Sequence, residues 1–355
     1  LNGSGTGGLS LSAGNLTASG NITLTNNIGA VLGNISSSGT LAFNGIGGAV
    51  SQGAGTTVAV TTVSASTLAS SLTLDSNTNQ IISVAATNAA GGVNIVDSTG
   101  GLAVTGVVNG GSNAVQLKTP GALQLNAAVT TTASGNAIVL SGDTFVNSVG
   151  GGVLSPGTGR WVVYATNPSG NTYGGLTSGN TAVYNASLAG NPPGTIPAGN
   201  RYVFQQQPLV TITADTYTRA YDGTASFSGL TFTPSGLINA ATYGNVFLQD
   251  TMTGALGVNT PAKHVGIYAI NQGTVTPPPG YTSNFISANA TITPAPLTVS
   301  TSSVTKTYDG STSAAGTPIV TGGTLFGGDT LGGGTFTFDN KSAGTGKTVN
   351  VNSVT

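Results

Sequence analysis

The sequence predicts an all-β protein in which a right-handed parallel β-helix is followed by immunoglobulin-like β-sandwich modules. Glycine supplies 56 of the 355 residues and charged residues only 5%, which disfavours helical bundles. Short segments with apolar residues two positions apart recur through residues 1–155, and this alternation is typical of strands. A Tyr-Asp-Gly triplet begins at Tyr221 and another at Tyr308. The stretch from one triplet to the next is the length of one repeat, and a strand-rich repeat of that length fits a sandwich module.

Residues 1–155 form the predicted β-helix shaft. Its strand segments repeat at a spacing near ~20 residues, in the range of known solenoid repeats, and Gly and Asn suit the tight corners between them. Leu123 and Leu125 should point into the lumen and Gln124 outward. An antiparallel sandwich is the alternative, but only Phe43 and Phe145 supply aromatic rings before Arg160. The predicted core pairs are Ile22/Leu24, Leu41/Phe43, Val58/Val60, Leu72/Leu74, Leu102/Val104, Leu123/Leu125 and Ile138/Leu140.

Residues 156–208 differ in composition and are predicted to be an aromatic-rich cap and linker. From Arg160 onward lie 19 of the 21 aromatic residues, and 14 of the 15 prolines lie from Pro156 onward. The open end of a β-helix must be covered, because its coil edges are unpaired. Two interpretations of the local aromatic set stay open, since these rings either close the shaft or form a platform on which sugars stack. The set is Trp161, Tyr164, Tyr173 and Tyr184.

The rest of the chain contains an internal repeat. PLVTITADTYTRAYDG at 208–223 recurs as PLTVSTSSVTKTYDG at 296–310, which predicts a first module at 209–296 and a second at 297–355. The second module should be truncated, lacking its last strands, so that it exposes an apolar edge or recruits a strand from a neighbouring molecule. In each triplet we interpret Asp as a turn former and Tyr as packed on the sandwich. The motif residues are Tyr221, Asp222, Gly223, Tyr308, Asp309 and Gly310.

The Tyr-Asp-Gly triplets, with the TITPAPL junction at 291–297, resemble the MBG or YDG family of bacterial immunoglobulin-like repeats. The segments GRWVVYATNP and GNRYVF, which follow Gly/Asn/Thr-rich coils, look like filamentous-haemagglutinin-type exoproteins. These resemblances imply a large adhesin exported by two-partner secretion, located on the bacterial surface or outside the cell. They also imply an outer-membrane transporter and a host-cell or matrix receptor, glycan or protein, as partners. The family's N-terminal secretion domain is not evident, so we expect a fragment from further along a longer chain.

Few residues are candidates for chemistry. Asp75, Asp97 and Lys118 follow one another at intervals of roughly one coil, so they could stack on one face as in a polysaccharide-degrading β-helix enzyme. Isolated residues at coil corners are the favoured interpretation. His264 is the only histidine and makes a poor metal site. Calcium at Asp222 or Asp309 stays open but is not expected, because each triplet offers one carboxylate. We expect no cofactor, no metal and no catalysis.

The sequence therefore favours a structural adhesin segment, a fibre that mediates attachment or matrix cohesion. A net charge of −1 with five Lys and three Arg argues against nucleic acid as a partner, while self-association between fibres stays open. The alternatives are the polysaccharide lyase or hydrolase and, with less support, an ice-binding solenoid. Thr-rich strands suggest the last of these, but the outward positions mix Thr with Asn, Ser, Gln and Ala.

Overall fold

The structure is a computed structural model that describes residues 15–26, 28–259 and 263–355, together with the backbone of two short strands at 2–3 and 9–10. Over these residues the regular secondary structure is β-strand, apart from two short 3-10 helices, Pro193–Thr195 and Ala240–Tyr243. None of the described helices is long and apolar enough to span a bilayer. The predicted all-β class with a parallel β-helix is confirmed by the strand pairing.

Strands β1 to β21 are all paired in parallel and build the β-helix. Their bounds are β1 Asn2–Gly3, β2 Leu9–Ser10, β3 Leu16–Ala18, β4 Ile22–Asn26, β5 Ala30–Leu32, β6 Ile35–Asn44, β7 Val50–Gln52, β8 Val58–Leu68, β9 Leu72–Leu74, β10 Gln80–Ala89, β11 Val93–Val96, β12 Leu102–Val104, β13 Val108–Asn109, β14 Val115–Lys118, β15 Leu123–Leu125, β16 Val129–Thr130, β17 Asn136–Ser141, β18 Phe145–Asn147, β19 Leu154–Ser155, β20 Arg160–Ala165 and β21 Arg201–Phe204.

Two stacks of strands run along the β-helix. One has the order β1-β4-β6-β8-β10-β12-β15-β18 and the other β2-β5-β7-β9-β11-β14-β17-β20-β21. The long strand β10 pairs with both β12 and β13 of the next turn, so one bent strand there serves two faces that later turns build from separate strands. Successive turns differ slightly in length but keep close to the predicted spacing, which is confirmed. The turns are marked by the consecutively paired residues Ala30, Val50, Leu72, Val93, Val115, Ile138 and Trp161.

The lumen is filled by columns of aliphatic side chains, one from each turn. All seven predicted core pairs are buried, because alternate residues of a strand point to opposite faces. Leu123 and Leu125 are buried and Gln124 is exposed, so the predicted register of this strand is confirmed. One column runs through Leu72, Val93, Val115, Ile138 and Trp161.

The C-terminal end of the β-helix is filled by aromatic rings. The aliphatic column through Leu140 and Val163 ends at Tyr202. The last turn is almost twice as long as the others, since Val162 pairs with Arg201. Rings from well beyond residue 208 join the same buried cluster, namely Tyr243, Phe247 and Tyr281.

Residues 209–293 form two further sheets. The strands are β22 Leu209–Ala214, β23 Tyr217–Ala220, β24 Phe232–Ser235, β25 Gly257–Val258, β26 Gly266–Asn271, β27 Thr282–Ile286 and β28 Asn289–Thr293. One sheet has the order β24-β22-β27 and the other β23-β28-β26-β25. Ala214, Ile270 and Ala290 form their shared core, which places apolar faces of both sheets against each other as in a sandwich.

Residues 297–355 form two smaller sheets with little core. The strands are β29 Thr298–Thr301, β30 Ser313–Ala314, β31 Pro318–Gly322, β32 Gly333–Phe338 and β33 Val349–Val354. β29 pairs with β31, and the second sheet has the order β30-β32-β33. Within 297–355, all of which the structure describes, Phe336 is the one buried apolar side chain.

The chain divides into two compact units. The first comprises the residues up to Val210 with Gly236–Met252 and Pro277–Ser283, and the second comprises Thr211–Ser235, Thr253–Thr276 and Asn284–Thr355. Two segments inside the predicted first module, 209–296, thus belong with the β-helix. The shaft predicted at 1–155 and the cap predicted at 156–208 fall together in the first unit.

Candidate functional site

The four aromatic residues predicted as a sugar platform are buried. Trp161 and Tyr164 are each 2% exposed, Tyr184 is 3% and Tyr173 is 6% exposed. A ring that stacks on a sugar must present its face to solvent, so these four do not form a stacking platform in the folded chain. This corrects the glycan-stacking interpretation. Their buried positions agree with the alternative interpretation, in which the four rings fill the end of the shaft.

Edge-to-face ring contacts hold the cap together. Trp161 and Tyr173 both pack on Tyr202, each with ring centroids 5.0 Å apart. The Tyr173 hydroxyl donates a hydrogen bond to the Pro168 carbonyl at 2.8 Å, and Tyr164 donates one to the Asn191 carbonyl at 2.8 Å. Burial raises the pKa of Tyr164 to about 12. Each of these two buried hydroxyls thus has a partner that offsets its loss of water.

Arg160 anchors the long loop of the last turn. Its Nε donates to the Asn136 side chain at 2.8 Å, and its terminal nitrogens donate to the carbonyls of Ile196 at 3.1 Å and Gly199 at 3.2 Å. Carbonyl oxygens that a loop would otherwise leave unpaired are satisfied by one guanidinium, which carries five donors in a planar fork. These hydrogen bonds therefore fix the loop in place as a part of the cap.

A buried carboxylate lies within the cap. Asp250 is 6% exposed, and its Oδ2 accepts a hydrogen bond from the Tyr281 hydroxyl at 3.0 Å. The Tyr281 oxygen in turn accepts the Ile238 N–H at 3.0 Å. Burial raises the pKa of Asp250 above its ordinary value. Sequence reasoning missed this group, whose one signal is an Asp two positions after the apolar run VFL.

The carboxylates of the shaft are not brought together. Leu72 pairs with Val93 and Leu74 with Ile95, so the spacing from Asp75 carries Asp97 one position beyond register. Asp75 is exposed, whereas Asp97 is 2% exposed. Asp97 accepts the Ile81 N–H at 3.1 Å and the Thr119 hydroxyl at 2.8 Å.

Lys118 lies in register with Val96, the residue before Asp97, and is exposed. The predicted Asp75–Asp97–Lys118 column is therefore divided between two faces of the strand. Asp97 acts at a coil corner, where its oxygens accept backbone and hydroxyl hydrogens.

Polar side chains connect successive turns on the outer surface. Thr57 and Thr78 are hydrogen bonded at 2.7 Å, and the Ser66 hydroxyl donates to the Asn44 side chain at 3.0 Å. Asn109 donates to Asn88 at 3.3 Å. The surface of the shaft thus carries neutral Thr, Ser and Asn side chains that form hydrogen bonds from one turn to the next.

The two Tyr-Asp-Gly triplets form the same turn. Asp222 accepts the Thr224 N–H at 2.9 Å, and Asp309 accepts the Ser311 N–H at 2.8 Å, as in an Asx turn. The following glycines, Gly223 and Gly310, have φ of 70° and 75°. This left-handed region favours glycine, so the prediction that Asp is a turn former is confirmed.

A basic residue three positions before each Asp completes the turn. Arg219 pairs with Asp222, and Lys306 with Asp309 at 2.7 Å. The Lys306 contact holds the pKa of Asp309 at about 2, and the Thr224 N–H is the main reason that the pKa of Asp222 is lowered. A carboxylate that already pairs with a cation is a weaker candidate for calcium. Sequence reasoning missed both basic residues, although RAYDG and KTYDG share the spacing.

The tyrosines of the two triplets differ. Tyr221 packs edge to face on Phe326 with centroids 5.7 Å apart and donates a hydrogen bond to Asp329 Oδ1 at 2.9 Å. Tyr308 is 67% exposed, so the prediction that it packs on the sandwich is wrong. Its ring lies instead along an open groove.

That groove lies in the second module and has a volume of about 630 Å³. Its walls are the segments Ser300–Asp309 and Phe338–Lys347, with Val349. Three of the five lysines of the chain, Lys306, Lys341 and Lys347, are among the lining residues.

His264 is exposed, and its carbonyl oxygen accepts a hydrogen bond from Tyr268 at 2.6 Å. Over the described part of the chain, no three His, Asp or Glu side chains lie close enough to hold a metal ion.

Comparison with known families identifies the second repeat. Residues 293–355, which include Tyr308-Asp309-Gly310, match the family model described as the YDG domain. The first triplet, at Tyr221, lies outside the matched residues. No curated protein and no solved structure matches the chain. The chain is thus a β-helical protein that contains a YDG domain at its C-terminal end.

Proposed function

We propose that this chain is a segment of a secreted bacterial surface adhesin, a structural fibre that mediates attachment or matrix cohesion without catalysis. The observation that carries the proposal is the succession of a parallel β-helix and a YDG domain in one chain. A β-helix extends by repeating a turn, which suits a structural fibre. Export by two-partner secretion, through an outer-membrane transporter, belongs to the same proposal and rests on the resemblance to filamentous-haemagglutinin-type proteins.

The character of the surface supports attachment through hydrogen bonds. The shaft exposes neutral Thr, Ser and Asn side chains that are hydrogen bonded from turn to turn, and the formal net charge is −1. Such a surface suits a glycan or protein partner better than a polyanion. Because the aromatic cap is buried, a glycan partner would contact the polar outer surface of the shaft.

The arrangement of the carboxylates supports a role without hydrolysis. Glycoside cleavage by the common mechanisms needs two carboxyl groups that flank one bond. In the shaft Asp75 is exposed and Asp97 is buried, so the two do not face one substrate. This argues against the polysaccharide-degrading alternative.

A paired binding and degradation assay tests the proposal. The full chain is applied to an array of host and bacterial glycans and to intact cells, and the same polysaccharides are assayed for new chain ends. We expect binding without cleavage. The Asp75→Asn variant is the matched control, since it removes one exposed shaft carboxylate and should bind as the unchanged chain does. Polysaccharide cleavage that Asp75→Asn abolishes would show an enzyme instead.

A further inference from the structure

The two repeats have an equivalent loop, which follows β24 in the first repeat and β31 in the second. Each of these strands pairs antiparallel with the first strand of its repeat, β22 or β29. The loop begins at Gly236 in the first repeat and at Gly323 in the second, and both glycines have positive φ, 91° and 83°. A Cβ added to either glycine would overlap a carbonyl oxygen, that of Leu209 or that of Pro296. Both loops therefore leave their repeat at the same place and in the same conformation.

The loop of the first repeat packs on the part of the chain that precedes the repeat. Leu237 and Ile238 pack against the buried cluster at the end of the β-helix, of which Phe247 is a member. The Ile238 N–H donates a hydrogen bond to the Tyr281 hydroxyl at 3.0 Å. The segment Gly236–Met252 belongs to the same compact unit as the β-helix. This loop thus attaches the first repeat to what comes before it.

The loop of the second repeat packs on the first Tyr-Asp-Gly turn. The Phe326 ring meets the Tyr221 ring edge to face, and the Tyr221 hydroxyl donates a hydrogen bond to Asp329 Oδ1 at 2.9 Å. The Asp329 N–H donates to the Phe326 carbonyl at 2.9 Å, so a single turn presents the ring and the carboxylate together. A Cβ on Gly223 would lie 2.7 Å from the Phe326 Cβ. Glycine at this position therefore leaves the space that Phe326 occupies.

The Tyr-Asp-Gly turn forms without such a contact. Asp309 and Gly310 build the same turn in the second repeat, although Tyr308 is 67% exposed and a Cβ on Gly310 would meet no atom within 4 Å. The tyrosine is thus not needed to build the turn, and its ring and hydroxyl are available for contacts outside it.

We infer that the first Tyr-Asp-Gly turn is a docking surface for the loop of the following repeat. The tyrosine supplies a ring and a hydroxyl donor, and the glycine supplies space. The loop supplies an aromatic ring and, three positions later, a carboxylate. Edge-to-face aromatic pairs and hydrogen bonds to a carboxylate both favour one geometry, so the contact fixes the second repeat against the first. In repeat proteins, contacts between neighbouring repeats add to the stability of each repeat.

Spin labels on the full chain test whether the contact fixes the two repeats, because the chain has no cysteine of its own. Thr218→Cys on β23 and Thr335→Cys on β32 place one label at an exposed position of each repeat. We expect a single narrow distribution of distances between the labels. Tyr221→Ala removes the docking ring and should widen the distribution by at least about twofold, since a segment with fewer contacts opens more readily. Tyr308→Ala is the matched control, and equal widths for the two variants would overturn the inference.

A double-mutant cycle tests the hydrogen bond and is read by hydrogen exchange of the backbone N–H of residue 329. Tyr221→Phe removes only the hydroxyl and Asp329→Ala removes the acceptor. Each change should speed this exchange by about fivefold, as expected for the loss of one hydrogen bond. The double variant should exchange no faster than the faster single variant, because residues that share one contact are not additive.

Exchange of the Ile270 N–H, which donates to the Ala288 carbonyl, reports whether the first repeat stays folded and should not change. Effects that multiply in the double variant, or no effect of Tyr221→Phe, would overturn the docking contact. None of these measurements depends on adhesion, so this inference and the adhesin proposal can fail independently.

Discussion

At the scale of single residues, the interior of the shaft depends on strict alternation. Leu123 stacks between Leu102 and Phe145 of the adjacent turns, and Gln124 between Ala103 and Val146. Leu123→Asp should lower the free energy of unfolding by on the order of 4 kcal/mol, because it leaves an unpaired buried charge. Gln124→Asp adds the same charge in solvent and should change it by less than about 0.5 kcal/mol. Thermal unfolding of the two variants followed by circular dichroism measures the difference, and equal melting temperatures would disprove this register.

Asp250 makes the stability of the cap depend on pH. Its pKa is raised in the folded chain by burial, so folding favours the protonated form. The stabilisation is therefore full below the ordinary pKa, 3.8, and is lost as pH rises through the raised folded value. Asn keeps an acceptor for the Tyr281 hydroxyl and has no charge.

The melting temperature of Asp250→Asn minus that of the unchanged chain should thus increase from pH 3.5 to pH 7. The comparison is made by differential scanning calorimetry, with Asp215→Asn as the control for an exposed aspartate. A difference that is constant with pH, or that falls, would show that the carboxylate is not penalised by its burial.

At the scale of elements, the two triplet turns allow a matched comparison of glycine substitutions. Gly310→Ala meets no atom within 4 Å, whereas a Cβ on Gly223 would lie 2.7 Å from the Phe326 Cβ. Both have positive φ, so each substitution should cost about 1 kcal/mol in backbone strain. Gly223→Ala should cost more, and should also increase exchange at Phe326, because the ring contact with Tyr221 must shift. Hydrogen exchange of both variants measures this, and a larger effect from Gly310→Ala would contradict the assignment.

The alternating strands could be predicted from the sequence because burial there follows a local period of two. The predicted burial of Leu123 and Leu125 and the predicted exposure of Gln124 are correct for that reason. The register of Asp75 with Asp97 could not be predicted in the same way, because the turns differ in length along the shaft. A difference of one position places a side chain on the opposite face of the strand. The turn from Ala30 to Val50, for example, is shorter than the one from Ile138 to Trp161. Spacing alone does not fix register in a solenoid with turns of unequal length.

The composition of the cap could be predicted only in part, for a different reason. Local aromatic enrichment indicates Trp161 and Tyr173. Phe247 and Tyr281 reach the same cluster from segments far along the chain, and nothing in their local sequence indicates that contact. For Tyr308 the local sequence predicts a contact that the structure lacks. The repeat predicts the same packing as for Tyr221, but the residues around the two rings differ.

At the scale of the whole molecule, burial is distributed unevenly, and this predicts where proteases cut first. The β-helix holds a continuous buried core along its turns, whereas Phe336 is the one buried apolar residue of 297–355. Cleavage needs a backbone segment that can open into the protease, and segments with few buried contacts open at low free energy. We therefore expect the first cut between 300 and 355, with 1–296 left intact.

Trypsin makes this prediction specific, because two exposed lysines lie in different surroundings. Lys118 belongs to β14, paired with β11 and β17 on its two sides, and Lys341 lies in the strand-free segment 339–348. Both side chains are accessible, so a difference in cutting rate reports backbone order. Cleavage after Lys341 should precede cleavage after Lys118 by at least about tenfold, as followed by mass spectrometry of the fragments. Lys341→Gln should remove that first fragment without slowing any cut within 1–296, whereas comparable early cutting after Lys118 would mean that the shaft opens as readily as the YDG domain.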